Sequence, residues 1–190
     1  MYLHKDWKED RGQDPDQDDA AQIARCLAGE PEAFEPLVKR YQKPLFNVAL
    51  RLLGRYDEAS DATQNAFVKA YVHLDSFDPS QRFFGWIYRI LKNECLNRLR
   101  SARTMEPLPP HLMAASGPAD ALENIERHTA LRNALMALST EYREVIALRH
   151  FAGLSYDEIG AALGIQAKTV KSRLFSARQR LAEMLSDWAV

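Results

Sequence analysis

Apolar residues recur along most of this chain at the three- to four-residue spacing of an α-helix. The pattern runs through residues 20–103, where Glu30-Pro31, Gly54 and residues 76–80 interrupt it, and it resumes from about Leu122. No alternation of apolar and polar residues is long enough to indicate a β-strand. The spacing therefore predicts an all-α protein.

Two segments depart from the helical pattern. Residues 1–19 are acidic and contain proline, which is typical of a disordered tail. Residues 104–121, TMEPLPPHLMAASGPADA, contain four prolines and one glycine and are typical of a linker. We therefore expect two small helical domains, residues 20–103 and 122–190, joined by a flexible Pro-rich linker.

Residues 83–100, FFGWIYRILKNECLNRLR, separate into two faces when they are placed on a helix. One face is apolar and is expected to contact the core: Phe84, Ile87, Tyr88, Leu91, Cys95 and Leu99. The opposite face combines a tryptophan with amides and arginines: Trp86, Arg89, Asn93, Asn97 and Arg100. A solvated face needs no tryptophan, so this face is predicted to bind a partner. The alternative is that Trp86 packs against a neighbouring helix.

The C-terminal block contains a second pattern, LSYDEIGAALGIQAKTVKSRLFSARQRL. Ser155 and Glu158 have the spacing of a capping box, which starts a short helix through Leu163. Gly164 is suited to the left-handed turn that ends this helix, and a second helix begins near Gln166. This spacing is typical of a helix-turn-helix.

The second helix of this motif also has two faces. Its inward stripe is apolar: Val170, Leu174, Ala177 and Leu181. Its outward face and flanks are polar and cationic: Lys168, Lys171, Ser172, Arg173, Phe175, Arg178, Gln179 and Arg180. Such a face can enter a major groove, where cations contact phosphates and short polar side chains contact base edges. The alternative is an ordinary helical hairpin with a basic surface.

The net charge of −1 conceals two basic segments, residues 76–105 at +4 and residues 161–190 at +3. Two basic segments favour two contacts with a polyanion, although solvated helix faces would give the same count. No apolar run approaches the roughly 20 residues needed to cross a bilayer, and the N-terminus lacks the apolar region of a secretory signal. The isolated Cys26 and Cys95 suit a reducing cytoplasm.

Four stretches together resemble the extracytoplasmic-function (ECF) group of bacterial sigma-70 factors, in the order found in that family. They are LAGEPEAFEPLVKRYQKPLFNVALRLLG, DEASDATQNAFVKAYVHLDSFD, FFGWIYRILKNECLNRLR and LSTEYREVIALRHFAGLSYDEIGAALGIQAKTVKSRLFSARQRL. The resemblance covers nearly all of the chain except the acidic tail and the linker. It implies a region 2-like domain over residues 20–103 and a region 4-like domain over residues 122–190.

The resemblance implies a factor that directs core RNA polymerase to promoters in the bacterial cytoplasm. The residues expected to open and hold the −10 element are Phe77, Phe83, Trp86, Arg89, Asn93, Asn97 and Arg100, with the loop 77–83 shaping a pocket for a flipped base. The residues expected to read the −35 element are Lys168, Thr169, Lys171, Ser172, Arg173, Phe175 and Arg178. Many family members carry a small residue at the position of Lys168, so the bases read there are left open.

The polymerase contact is implied by the resemblance alone. Asp61 and Gln64 match the acidic and glutamine positions of the family's core-binding helix, whereas Asn65 replaces the usual acidic residue. Judged by residue type alone, these are polar side chains of an amphipathic helix. The resemblance also implies an anti-sigma protein as a further partner.

The expected linker is long enough for two promoter contacts. Eighteen residues in an extended polyproline-like form reach roughly 55 Å, or about one and a half turns of DNA. A partner that clamps the two domains together could hide both DNA-binding faces.

Two other classes of function remain open at the level of sequence. A conventional regulator with an N-terminal sensing or dimerising half would bind duplex DNA without polymerase. An enzyme is disfavoured, since there is no glycine-rich phosphate loop or nucleophile motif. No metal site or cofactor is predicted, because the five histidines lack metal-ligand spacing: His4, His73, His111, His128 and His150.

Overall fold

The structure, a computed structural model, describes residues 15–102 and 120–186. Within these ranges the regular elements are helices, as expected. Two short 3-10 helices, Pro31–Phe34 and Leu74–Ser76, accompany eight α-helices: α1 Pro15–Leu27, α2 Glu35–Leu53, α3 Tyr56–Val72, α4 Phe83–Ala102, α5 Asp120–Ala137, α6 Thr140–His150, α7 Tyr156–Leu163 and α8 Ala167–Met184.

The expectation of a disordered tail is wrong for its last five residues. Helix α1 begins at Pro15, and the side chain of Asp19 is buried. The Arg40 guanidinium bonds the carboxylates of Asp18 and Asp19, and the Tyr41 hydroxyl donates to Asp19. Arg40 and Tyr41 both lie in α2. The acidic residues are therefore held by side chains that are distant in sequence, and the composition of the tail alone does not reveal them. Residues 1–14 lie outside the described residues.

The linker expectation falls mainly on residues 103–119, which also lie outside the described residues. Helix α5 begins at Asp120 and therefore includes two residues that were assigned to the linker. The last four residues of the chain, 187–190, are outside the described range as well.

Helices α2, α3 and α4 pack against one another and form the core of the first half. The predicted apolar stripe of α4 is confirmed, because five of its members are buried and the sixth, Leu99, is half-buried against the core. The orientation of α4 follows from this burial. Its opposite face, which carries Trp86, points away from α2 and α3.

In the second half α7 and α8 pack against α6 and form the predicted helix-turn-helix. Both bonds of the capping box are present: Ser155 Oγ accepts from the Glu158 amide, and Glu158 Oε2 accepts from the Ser155 amide at 2.6 Å. Gly164 ends α7 with a φ of 68°, which glycine adopts without strain. Gly160 allows a close approach, since a Cβ there would lie 2.7 Å from the Ile165 carbonyl oxygen.

The two halves share one hydrophobic cluster. Helix α6 packs against α2, and α7 packs against α4. The cluster runs without a break from Ile23 in α1 to Ala177 in α8. The expected two domains are therefore closed upon each other in this structure.

Candidate nucleic-acid and polymerase interfaces

Trp86 lies half-buried at the start of α4 on a platform of two phenylalanine rings. Its ring centroid is 5.4 Å from that of Phe77 and 5.8 Å from that of Phe83, and the Phe77 contact is edge-to-face. Aromatic neighbours at this distance and angle hold a ring in place. The indole is therefore fixed in position with part of its surface open to solvent.

Phe77 and Phe83, which were expected to contact DNA, are themselves buried at 8% and 2% exposure. They offer little exposed ring surface for stacking, and their contact with DNA stays a prediction. Their rings fill the space between the loop, α4 and the core, because Phe83 also packs against Phe34 and Tyr41. Both rings also contact Trp86 and hold it in place.

The polar face of α4 is open to solvent. Arg89, Asn93, Asn97 and Arg100 are all exposed. The Arg89 guanidinium bonds the Gln81 side chain and donates from Nε to the Gly85 carbonyl at 3.2 Å, which directs it towards the loop before α4. The two arginines of this face can donate hydrogen bonds to phosphates, and the two asparagine amides can bond base edges.

A cleft of about 220 Å³ opens beside this face. One side of it is formed by residues of the loop 77–83: Phe77, Pro79, Ser80, Gln81, Arg82 and Phe83. The other side is formed by Asp19, Ala20 and Ile23 of α1, which the sequence did not lead us to expect. The polar residues that follow Pro79 in the loop are exposed, so the lining of the cleft combines hydrogen-bonding groups with the rings of Phe77 and Phe83.

The outer face of α3 carries the three residues expected to contact polymerase. Asp61, Gln64 and Asn65 are exposed, and Asp61 is 3.7 Å from the Arg98 guanidinium. Large apolar side chains continue this face for two further turns and are also exposed: Val68 at 61%, Tyr71 at 45% and Val72 at 64%. These apolar residues were not predicted, although their helical spacing from Asp61 and Gln64 places them on the same face of α3.

Helix α8 presents most of the residues expected to read duplex DNA. Lys168, Lys171, Ser172, Phe175 and Arg178 are exposed, whereas Thr169 is half-buried. Arg178 bonds His150 at 3.1 Å. The side chain of Arg173 is only 26% exposed and pairs with Glu141 at 3.0 Å, so its guanidinium is engaged by α6.

A metal centre and a membrane-spanning helix are both absent from the residues that the structure describes. No group of three or more His, Cys, Asp or Glu side chains is placed to hold a metal ion there. Each helix in the described ranges is too short or too polar to cross a bilayer.

Comparison with known families matches both halves. The model described as Sigma-70 region 2 matches residues 37–104, and the model described as Sigma-70, region 4 matches residues 128–181. The chain is 32% identical to the ECF RNA polymerase sigma factor SigW of Bacillus subtilis over 178 residues, which span 87% of this chain and 95% of SigW. The chain belongs to the sigma-70 family, in its ECF group.

Further relatives carry related names. The ECF sigma factor SigM of Mycobacterium tuberculosis is 36% identical over 88% of this chain and 84% of its own length. The ECF sigma-E factor of Escherichia coli is 31% identical over 86% of this chain and 92% of its own length. The similarity therefore covers both halves of each relative.

Two solved structures are also similar to this chain. The structure of CnrH in complex with the cytosolic domain of CnrY matches with a TM-score of 0.69 and 29% identity, over 90% of this chain and 98% of the other. The sigma factor RpoE in complex with the anti-sigma factor NepR from Bartonella quintana matches with a TM-score of 0.63 and 28% identity, over 80% and 96%. Both neighbours were captured with a second protein.

Proposed function

We propose that this ECF sigma factor directs core RNA polymerase to promoters, with α8 reading duplex DNA at the −35 element and α4 capturing an opened strand at the −10 element. The observation that carries the proposal is that each half contains a helix with exposed cationic side chains. Helix α4 lies in the region 2 match, and most of helix α8 lies in the region 4 match. The protein acts as a regulator in the cytoplasm and performs no catalysis of its own.

Strand opening requires a surface that replaces base stacking. Unstacking costs a few kcal/mol per step, and an aromatic ring returns roughly 1–3 kcal/mol per stacked base. Trp86 is suited to this role because its indole is fixed on Phe77 and Phe83 and remains partly exposed. Arg89 and Arg100 would hold phosphates, while Asn93 and Asn97 would contact base edges.

The cleft beside the loop 77–83 would receive a flipped base. Its volume of about 220 Å³ leaves room for a single nucleobase, and the loop residues Ser80, Gln81 and Arg82 would supply hydrogen-bonding groups. Because α1 forms the far wall, the segment before the region 2 match would contribute to the shape of this pocket.

The outer face of α3 would contact core polymerase. Polar anchors at Asp61, Gln64 and Asn65 adjoin the exposed apolar residues Val68, Tyr71 and Val72. An apolar patch bordered by polar groups is typical of a protein-binding surface. We also propose that an anti-sigma protein binds the two halves in their closed arrangement. The neighbour RpoE supports this, because its structure was solved in complex with the anti-sigma factor NepR.

The proposal is tested by adding the purified protein to core RNA polymerase and a promoter library. We expect specific initiation that depends on the added protein. A regulator that binds duplex DNA while core polymerase stays inactive would contradict the proposal.

The polymerase surface is tested with the double variant Asp61→Ala, Gln64→Ala. We expect weaker co-purification with core polymerase and an unchanged fold, because both side chains are exposed. The control is Lys43→Ala, which changes an exposed charge on α2. Co-purification at the wild-type level would remove α3 from the interface.

A further inference from the structure

One carboxylate is buried where the two halves meet. Glu144 of α6 is 3% exposed and lies against α4. Its Oε1 accepts a hydrogen bond from the Tyr88 hydroxyl at 3.2 Å and pairs with the Lys92 ammonium at 2.8 Å. A carboxylate is rarely buried without partners, and both partners here come from the other half of the chain.

Further polar contacts surround this pair. Arg143, the neighbour of Glu144, is also buried and donates from Nη1 to the Leu52 carbonyl at the end of α2 at 2.8 Å. The Arg51 guanidinium lies 4.2 Å from the centre of the Phe151 ring. Burial lowers the pKa of both arginines. The contacts replace water at the boundary with protein groups from both halves.

The two halves also approach at the level of the backbone. A Cβ atom built on Gly85 of α4 would lie 3.7 Å from the Cα and 3.9 Å from the Cβ of Ala162 in α7. One turn earlier, Arg82 forms an ion pair with Glu158. Helix α7 of the helix-turn-helix is therefore packed directly on the helix that we propose captures the opened strand.

The charge of the two segments is complementary. Residues 76–105, which include α4, carry a net charge of +4, and residues 106–160, which include Glu144 and Glu158, carry −4. Opposite charge on two surfaces favours their association and opposes the binding of a second polyanion to the basic one. Two of these carboxylates pair with cations of the basic segment: Glu144 with Lys92, and Glu158 with Arg82.

We propose that the second half is an intramolecular inhibitor of the first, and that Glu144 is the contact that holds the closed form together in the protein alone. The proposal rests on the proposed function. Elements centred near −35 and −10 are about 25 base pairs, or about 85 Å, apart along a duplex. A closed body of this size has a diameter on the order of 40 Å. The closed form therefore cannot place α4 and α8 on both elements at once.

The Gly85–Ala162 contact allows a direct test of the closed form. The separation of the two Cβ positions, 3.9 Å, matches the roughly 3.8 Å found across disulfides. We expect the double variant Gly85→Cys, Ala162→Cys to form an intramolecular disulfide when the purified protein is mildly oxidised. Cys95 will not compete, because burial raises the pKa of its thiol to about 12. Cys26 is changed to Ser in all variants.

The oxidised double variant should lose promoter-specific initiation with core polymerase, and a reductant should restore it. The two single variants, treated in the same way, should stay active. Failure of the disulfide to form, or full activity of the cross-linked protein, would overturn the inference. Loss of activity in the reduced and wild-type proteins as well would instead contradict the proposed function.

The role of Glu144 is tested in the same cross-linking background. Glu144→Gln removes the buried charge that pairs with Lys92 and should slow disulfide formation by at least about tenfold, because the half-buried Lys92 ammonium loses its charged partner at the boundary. Glu183→Gln makes the same chemical change at an exposed position of α8 and should leave the rate unchanged. Small-angle scattering of each protein reports its compactness independently. Equal cross-linking rates in both variants would show that Glu144 does not hold the halves together.

Discussion

At position 86 an indole lies half-buried on two phenylalanine rings, and this arrangement supports the strand capture that we propose for α4. The helical pattern alone placed Trp86 opposite the core stripe and left two readings open, a binding surface or packing on a neighbouring helix. The structure combines the two, since Phe77 and Phe83 hold the ring while part of it remains accessible. Residue type indicated the chemistry, and the neighbours decided its orientation.

Trp86→Ala should impair promoter opening more than initial promoter binding. Loss of one stacked base costs roughly 1–3 kcal/mol, or about 5- to 150-fold in the open-complex equilibrium. Permanganate reactivity at the −10 element measures opening. Tyr56→Ala, which removes an exposed aromatic ring that packs on Phe46, serves as the control. Unchanged reactivity in Trp86→Ala would reject the role.

Glu158 provides a pH-dependent contribution to stability. Desolvation raises the pKa of its carboxyl, but the bonds from Ser155 and the Arg82 charge outweigh this and hold the pKa below its ordinary value of 4.5. A lowered pKa in the folded state means that the stabilisation is present above about pH 4.5 and is lost as the pH falls below it. Glu158→Gln retains a capping-box acceptor but loses the charge that pairs with the exposed Arg82, and should cost about 0.5 kcal/mol at pH 7 and much less in acid.

The measurement for Glu158 is urea unfolding at pH 7 and at pH 3.5. Asp157→Asn changes an exposed acid in the same first turn of α7 and controls for the helix dipole. A difference between Glu158→Gln and wild type that does not vary with pH would contradict the assignment.

At the scale of elements, the local signals of the helix-turn-helix were readable in advance. The capping box and the left-handed Gly164 are properties of a few consecutive residues, and the structure confirms both. The limits of α1 were not readable, because Asp18 and Asp19 depend on Arg40 more than twenty residues away. The composition predicted a disordered tail there, but the ion pairs with Arg40 stabilise α1.

Gly160→Ala should destabilise the helix-turn-helix by about 1–3 kcal/mol, since the added methyl would lie 2.7 Å from the Ile165 carbonyl oxygen. The matched control is Gly85→Ala, a helical glycine whose added Cβ meets atoms no closer than 3.7 Å. Chemical denaturation should show the loss in the first variant and a change within about 1 kcal/mol in the second. Equal stabilities would contradict the close approach.

Lys171→Ala should weaken binding to −35 duplex DNA and lower the slope of log K against log salt by about 0.9 for one lost phosphate contact. Arg173→Ala should change the slope less, because that side chain is engaged by Glu141. Titrations between low and moderate salt measure both. A slope unaltered in Lys171→Ala would remove this residue from the DNA interface.

At the scale of the whole molecule, the two expected domains form one body with a continuous core. The sequence suggested separation, because a proline-rich segment divides two helical blocks. The contacts that join them are made by side chains far apart in sequence, such as Tyr88 and Glu144, which are 56 residues apart. No pattern within either block marks these positions as partners.

A shared core predicts a single cooperative unfolding transition for the wild-type protein. Calorimetry should show one peak, and the tryptophan fluorescence and the far-ultraviolet circular dichroism should change together. Two separated transitions in the wild type would contradict a closed resting form, whereas separation in Glu144→Gln alone would support it.

The sequence by itself determined the helices, the faces of α4 and α8 and the helix-turn-helix, because helical period, capping and turn geometry are set by residues within a few positions of one another. The sequence also showed the resemblance to ECF sigma factors. Only the tertiary structure decided that Phe77 and Phe83 are buried against Trp86, that α1 belongs to the fold and that Glu144 is buried between the halves. Burial of this kind depends on distant residues meeting, and that information is distributed over the whole chain.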